Sequence, residues 1–187
     1  MDIKKYFIFD IAPDALQNFD CGEEWSMSYF LRYDALEAYR QGQAMTNVFV
    51  DCATGLVLGY YSLKSNSFLH KYVHPYSGCA VSDTVPCVEI ARFALDKQFQ
   101  RQKLPGSDIK YSEYLMSEAL QDINDLREYL VGVKAVMLFS LNKPKQIHFY
   151  HKFGFKEFAP SDGIHQSTEV EGCLPMYLLL PPIEIAH

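Results

Sequence analysis

The chain has no excess of basic residues. It contains 17 Lys and Arg against 23 Asp and Glu, which gives a formal net charge of -6. A nucleic-acid surface built on net positive charge is therefore disfavoured. A local basic groove is still compatible with this total, because affinity depends on the patch that touches the nucleic acid.

Cysteine is scarce and irregularly placed. The five cysteines are odd in number and no two have the C-x-x-C spacing: Cys21, Cys52, Cys79, Cys87 and Cys173. Neither a zinc site nor a disulfide framework is expected, and reduced thiols in the cytoplasm are the default. His70 and His74 have i, i+4 spacing without an evident third ligand, so no metal site is predicted.

Long apolar runs are also missing. Met1–Lys5 lacks the apolar core of a signal peptide, and Cys173–Ile183 is too short and proline-broken to span a bilayer. No internal repeat, linker or low-complexity segment occurs. With 49% apolar and 14% aromatic residues, the composition is that of a globular chain. We therefore expect one cytoplasmic domain over residues 1–187.

Hydrophobic patterning in the first half of the chain predicts strands and one helix. In order, the elements are a strand over Lys5–Ile11, a helix over Trp25–Arg40, hairpin strands over Thr46–Asp51 and Leu56–Leu63, and an irregular excursion over Asn66–Thr84. The helix should bury a stripe at helical spacing, formed by Trp25, Tyr29, Tyr33 and Leu36. Long irregular segments in compact domains are usually functional, so we expect a role for the excursion.

The second half predicts more regular elements. They are a strand over Val85–Asp96, a polar loop over Gln98–Lys110, a helix with its apolar face at Leu115, Ala119, Ile123, Leu126 and Leu130, a strand over Val133–Leu141, a helix to Phe153, a strand over Phe155–Phe158, a polar loop over Ser161–Gly172 and a strand over Cys173–Leu180. Asn142 is a suitable N-cap for the shorter helix, and Gly154 ends it. The fold class is α/β around a central sheet.

Two segments carry the chemistry. Val88–Asp96 is an apolar strand with Glu89 set into it and a polar loop after it. His148–Phe155 is the end of a short helix with Tyr150 just before a glycine. Together they resemble the two halves of the acyl-CoA site of the GCN5-related N-acetyltransferases, the GNAT superfamily. The resemblance covers about residues 6–180 and is weak over Asn66–Thr84.

The resemblance implies a mixed, mostly antiparallel sheet flanked by helices. In this superfamily the strand that matches Val85–Leu95 splays from the strand that matches Val133–Leu141, and the gap holds acetyl-CoA. The main chain of Phe93, Ala94 and Leu95 would then bind pantetheine and the acyl carbonyl, because a freed strand edge needs partners. From composition alone, an ordinary buried strand is the favoured interpretation of this segment.

The loop after this strand departs from the superfamily's pattern. Relatives show a Gln/Arg-x-x-Gly-x-Gly/Ala motif whose backbone cradles pyrophosphate at a helix N-terminus. Here Gln100 matches, whereas Arg101 and Lys103 replace small residues and Gly106 comes later in a longer loop. Either the longer loop rebuilds the anion site with these cations, or acetyl-CoA binding is weakened or lost. Asn142 is a further cofactor-binding candidate by resemblance.

Tyr150 and Glu89 are the catalytic candidates. The superfamily's Phe-Tyr-x-x-x-Gly-Phe pattern is matched in full, and its tyrosine acts there as general acid toward the thiolate of coenzyme A. Glu89 lies where the histone acetyltransferase branch has its base, and a carboxylate can accept the proton of an amine nucleophile. The alternatives are a tyrosine packed in a core and a glutamate paired with Arg92 or a lysine.

Four short motifs also resemble the toxin branch of the superfamily, whose members acetylate aminoacyl-tRNA. They are Phe19–Gly22, Tyr29–Arg32 with Ala35, Gly59–Leu63 and Arg92–Asp96. The sequence thus predicts an acetyl-CoA-dependent N-acetyltransferase without a metal, acting on a small-molecule or peptide primary amine. Alternatives are acetylation of aminoacyl-tRNA, which the acidic balance disfavours, and an inactive GNAT-fold binding module. Homodimers are common in the superfamily, and the long excursion should help to shape the acceptor pocket.

Overall fold

The computed structural model describes residues 2–159, 164–165 and 170–183. A 3-10 turn spans Ile8–Asp10 and a π-helical turn spans Phe30–Asp34. The strands and helices are, in chain order, β1 (Ile3–Phe7), α1 (Pro13–Leu16), α2 (Trp25–Tyr29), α3 (Ala35–Arg40), β2 (Met45–Asp51), β3 (Leu56–Val73), β4 (Ala80–Leu95), α4 (Tyr111–Tyr129), β5 (Ala135–Leu141), α5 (Pro144–Lys152), β6 (Lys156–Glu157), β7 (Ile164–His165) and β8 (Cys173–Leu179).

The chain divides into two compact units, and the long strands β3 and β4 contribute to both. The first comprises Met1–Lys64 with Ile90–Asp122, and the second Ser65–Glu89 with Ile123–His187. The first has the strand order β1-β2-β3-β4; the second has β3-β4-β5-β8-β6, with β7 on β3. Every pair whose register is resolved is antiparallel. The predicted α/β class is confirmed, while the single domain stays a prediction.

The core of the first unit depends on one glycine. Its buried side chains include Ile8, Phe19, Leu31 and Tyr60. A Cβ added to Gly59 on β3 would lie 2.6 Å from the carbonyl oxygen of Ala94 and 2.7 Å from Leu115 on α4. Only glycine allows β3, β4 and α4 to approach this closely, because real side chains do not tolerate such contacts.

The predicted buried stripe of the first long helix is wrong for its three aromatic residues, whereas Leu36 is partly buried against the core. Trp25, Tyr29 and Tyr33 are 70%, 48% and 56% exposed, and their rings contact one another in solvent. The buried face is formed by the smaller side chains Leu31, Ala35 and Ala38. Both sets have helical spacing, and small residues let the helix approach the sheet. The π-helical turn also shifts the phase between α2 and α3.

The predicted irregular excursion over Asn66–Thr84 is wrong as well. β3 continues to Val73, β4 begins at Ala80, and the two form a long hairpin. His74 N–H donates to the carbonyl of Cys79 at 2.9 Å, and Gly78 N–H donates to that of His74 at 3.0 Å. Pro75 and Gly78 therefore belong to a tight turn. Side chains of this hairpin contribute to the core of the second unit. One buried cluster there is formed by Phe68, Val85, Cys87, Ala135, Met137 and Tyr177.

Several element boundaries also differ from those predicted. β1 ends at Phe7, and α5 begins at Pro144 with Lys143 at the N-cap, so Asn142 does not cap it. Leu130 follows the end of α4 and is 79% exposed. Most of the predicted loop over Ser161–Gly172 lies outside the described residues. No helix in the described part of the chain is long and apolar enough to cross a membrane.

Candidate functional site

Tyr150 lies in the last turn of α5, in the second unit. Its carbonyl accepts the N–H groups of Phe153 at 3.0 Å and Phe155 at 3.3 Å, which closes the end of the helix. Gly154 follows with φ +84°, a conformation that glycine adopts without strain. The ring centroid of Tyr150 lies 5.3 Å from that of Phe149 and 5.9 Å from that of Phe155. The predicted Phe-Tyr-x-x-x-Gly-Phe helix end is thus confirmed as a local structure.

The phenol of Tyr150 stays protonated at neutral pH. Its side chain is only partly exposed, and desolvation by burial raises its pKa to about 12, with a further contribution from the nearby thiol of Cys173. A protonated phenol can donate a hydrogen bond to a developing anion. The group therefore has the protonation state that the predicted general acid requires.

Glu89 is a buried carboxylate on β4, in the second unit, with 4% of its surface exposed. The side-chain amide of Asn66 on β3 donates to its Oε2 at 2.6 Å. Burial and the nearby Glu89 carboxylate together raise the pKa of the Cys87 thiol to about 12. Asn66 was not among the predicted site residues, because its neighbour across the hairpin is 23 positions away.

The predicted pantetheine-binding main chain ends β4 in the first unit. Phe93 is partly exposed, and Ala94 and Leu95 are buried. The next residue along, Asp96, donates its N–H to the carbonyl of Leu58 on β3 at 2.9 Å. The carbonyl of Leu95 accepts a hydrogen bond from the side-chain amide of Gln100 at 3.2 Å. One of the polar groups assigned to the ligand is therefore already engaged within the protein.

Gln100 has a structural contact that the sequence does not reveal. Its side-chain Nε2 donates to the carbonyl of Cys21 at 2.9 Å as well as to that of Leu95. Both amide hydrogens are therefore directed at main-chain oxygens. In this conformation Gln100 links the loop before α2 to the end of β4 and does not offer its amide to a phosphate.

Two lysines of the phosphate-loop region are paired with carboxylates. Lys97 Nζ lies 2.7 Å from Asp20 Oδ2, and Lys103 Nζ lies 2.6 Å from Asp108 Oδ1. The hydrogen bond from Lys97 holds the pKa of the Asp20 carboxyl below its usual value. Within the described part of the chain, the side chains of Arg101 and Lys110 make no ion pair, and both are exposed. Arg101, which directly follows Gln100, is the candidate for an incoming phosphate.

The backbone of Arg101 is left-handed, with φ +65°, and Gly106 has φ +73°. A left-handed arginine is uncommon and costs about 1–2 kcal/mol. The longer loop therefore keeps one strained position directly after Gln100. At the start of α4, Glu113 Oε2 accepts the N–H of Lys110 at 3.0 Å, which is half of a capping box.

Asp96 is a positioning residue that sequence reasoning did not identify. Its carboxylate is 3% exposed and accepts two backbone hydrogen bonds, from Asp20 N–H to Oδ2 and from Gln98 N–H to Oδ1, both at 2.9 Å. Lys97 N–H in turn donates to the carbonyl of Asp20 at 2.8 Å. The carboxylate thus fixes the loop after β4 against the segment before α2.

Asn142 is exposed, and its N–H donates to the carbonyl of Gly172 at 3.3 Å. His70 lies on β3 and His74 in the turn after it. Across the described ranges, no three His, Cys, Asp or Glu side chains are close enough together to hold a metal ion. The predicted residues therefore fall in two groups: Phe93–Leu95 with the loop to Gly106 in the first unit, and Glu89, Asn142 and Tyr150 in the second.

Comparison with known proteins finds relatives over most of the chain. No family model matches. A tRNA-acetylating toxin of Mycobacterium tuberculosis is 29% identical over 152 residues, which cover 81% of this chain and 84% of that protein. This similarity supports the branch indicated by the short motifs.

Solved structures agree over nearly the whole length. A mutant of the toxin AtaT bound to the C-terminus of the antitoxin AtaR and acetyl-CoA superposes with a TM-score of 0.67 and 21% identity, over 96% of this chain and 94% of that one. AtaT complexed with acetyl-methionyl-tRNAfMet gives a TM-score of 0.68 and 22% identity, over 96% and 95%. These matches confirm the predicted GNAT fold.

Proposed function

Because the chain has the GNAT fold and is similar to a tRNA-acetylating toxin, we propose that it transfers an acetyl group from acetyl-CoA to the amine of an aminoacyl-tRNA. The observation that carries the proposal is the similarity to that toxin across 81% of the chain. The protonated, partly buried Tyr150 at the end of α5 adds a matching chemical group. The alternative acceptor is thus better supported than the small-molecule or peptide amine predicted first.

In the proposed reaction the amine nitrogen attacks the carbonyl carbon of the thioester, and the carbon–sulfur bond then breaks. The amine loses a proton and the sulfur leaves as a thiolate, so the products are an amide and coenzyme A. Holding both reactants together supplies much of the rate enhancement, because it removes the entropy cost of a bimolecular encounter.

Tyr150 is proposed to act on the leaving sulfur. An ordinary thiol has a pKa of about 8.5, well below the value of about 12 for this phenol. Complete proton transfer to the thiolate is therefore uphill, whereas a hydrogen bond to it is favourable. We assign Tyr150 the role of a hydrogen-bond donor that stabilises the sulfur as its negative charge develops.

Glu89 is proposed to accept the proton of the amine, directly or through a water molecule. Its hydrogen bond from Asn66 holds Oε2 of the carboxylate in place. A buried carboxylate with a fixed orientation suits this role. Main chain at Phe93–Leu95 would bind pantetheine, and Arg101 would meet the pyrophosphate.

The proposal is tested by an acceptor panel. Purified protein is mixed with acetyl-CoA and, in turn, aminoacyl-tRNA, the matching deacylated tRNA, free amino acids and short peptides, and release of coenzyme A is followed. We expect release with aminoacyl-tRNA alone, and its loss in Tyr150→Phe but not in Tyr129→Phe, which alters a tyrosine that is 77% exposed. Turnover with free amino acids or peptides but not with aminoacyl-tRNA would overturn the proposal.

A further inference from the structure

The charge of this acidic chain is unevenly distributed. From Tyr129 to Lys156 the sequence has five lysines and no acidic residue, so this stretch has a formal charge of +5. The rest of the chain therefore carries -11, given the total of -6. Four of these lysines lie in or beside α5, the helix that carries Tyr150: Lys143, Lys145, Lys152 and Lys156.

α5 presents this charge to solvent. None of its nine residues is buried, and Lys145, His148 and Lys152 are exposed. These three positions are separated by three and four residues, so they lie on one helix face, which we call the α5 basic face. Lys143 before the helix and Lys156 after it are also exposed. At its far end, His151 lies 3.6 Å from Glu157.

Resting on the proposed function, we propose that the α5 basic face contacts backbone phosphates of the tRNA acceptor. Lys145 and Lys152 lie about 10 Å apart along the helix axis at 1.5 Å per residue, which places their charges opposite separate phosphates. Lysine is a flexible point charge that neutralises phosphate without reading a base.

Coenzyme A also carries phosphates, and it is the other source of the same chemistry. The two lysines of the α5 basic face lie about 10 Å apart along the helix axis, a wider spacing than one terminal phosphate requires. Arg101 lies in the loop that the superfamily uses for pyrophosphate. We therefore assign the α5 basic face to tRNA, and the test separates the two ligands.

The experiment compares two double variants with equal changes in charge. Lys145→Gln with Lys152→Gln removes the centre of the α5 basic face, and Lys4→Gln with Arg40→Gln removes two exposed cations elsewhere. For each protein, the Kd for aminoacyl-tRNA is measured across a series of salt concentrations, and the Kd for acetyl-CoA is measured at one. Acetyl-CoA binding also shows that each variant is folded.

We expect the first variant to bind tRNA about tenfold or more weakly and to show a shallower plot of log K against log salt. Each lost phosphate contact should lower that slope by about 0.7–0.9. Its Kd for acetyl-CoA and the control variant's tRNA binding should stay unchanged.

An unchanged salt slope in the first variant, or weaker binding of acetyl-CoA alone, would overturn the inference while wild-type acetylation of aminoacyl-tRNA still supports the proposed function. A wild-type protein that neither binds nor acetylates aminoacyl-tRNA would overturn both.

Discussion

The carboxylate of Asp96 accepts the backbone N–H of Asp20 at 2.9 Å, which joins the end of β4 to the segment before α2. The same carboxylate accepts the N–H of Gln98. Phe93–Leu95, which are proposed to bind pantetheine, lie immediately before the buried carboxylate of Asp96. The phosphate loop lies immediately after it. The Asp96 side chain should therefore fix the positions of the end of β4, the phosphate loop and the segment before α2.

Asp96→Asn should weaken that anchor. An amide offers one oxygen where the carboxylate offers two, so one buried N–H loses its acceptor at a cost of about 1–3 kcal/mol. We expect a raised KM for acetyl-CoA with a smaller change in kcat, because the residue positions the loop without touching the reacting atoms.

Chemical unfolding and steady-state kinetics on the same preparations check this prediction. Asp14→Asn removes an exposed carboxylate from α1 and serves as the control, with no expected change in either measurement. A kcat that falls while the KM for acetyl-CoA stays constant would contradict the positioning role.

Gly59→Ala should destabilise the first unit. The new methyl would lie 2.6 Å from the carbonyl oxygen of Ala94, which is backbone and cannot rotate away. Overpacking of this kind costs about 1–3 kcal/mol or more. Gly132→Ala is the matched control, because its Cβ meets nothing within 4 Å. Urea unfolding should separate the two variants, and equal midpoints would show that β3, β4 and α4 are not tightly packed at Gly59.

Local features of the site are visible in the sequence, whereas contacts between distant residues are not. The helix end at Tyr150 could be predicted because a glycine stop and an aromatic pattern are local signals. The anchor at Asp96 could not, because its partner Asp20 is 76 positions away. The same holds for Asn66, which reaches Glu89 only once the hairpin has formed.

Hydrophobic periodicity also leaves one choice open. Trp25, Tyr29 and Tyr33 share a helical face, but so do Leu31, Ala35 and Ala38, and only packing decides which set is buried. The irregular excursion predicted over residues 66–84 is wrong for a different reason. This segment has little hydrophobic periodicity of its own, and its strands are formed through cross-strand hydrogen bonds.

Arg101 allows strain and charge to be tested separately. Arg101→Gly removes the cation and relieves a left-handed conformation, so we expect lower affinity for acetyl-CoA with unchanged or slightly higher stability. Arg101→Ala removes the same charge but keeps the strain, so its affinity should fall equally without a gain in stability. Calorimetric titration and thermal unfolding measure the two effects. Equal affinity of both variants and wild type would exclude Arg101 from pyrophosphate binding.

The raised pKa of Tyr150 predicts the pH dependence of the reaction. A phenol with a pKa of about 12 is protonated throughout the range below that value, so its hydrogen bond to the sulfur persists as the pH rises. The rate should therefore show no fall between pH 8 and about 10 that depends on Tyr150. Tyr150→Phe should lower kcat by about 10²–10⁴-fold.

Rate profiles of the wild type and Tyr150→Phe, taken on enzyme whose fold is checked at each pH, provide the measurement. A descending limb below pH 10 that disappears in the variant would show that the phenol titrates in the ordinary range.

The most direct test of the account is to identify the acetylated atom. Protein, acetyl-CoA and a single aminoacyl-tRNA are incubated, the tRNA is digested with nuclease, and the released aminoacyl-adenosine is analysed by mass spectrometry. The account predicts an acetyl group on the amine of the amino acid, and none when Tyr150→Phe replaces the wild type. Unmodified aminoacyl-adenosine from protein that binds acetyl-CoA would contradict it.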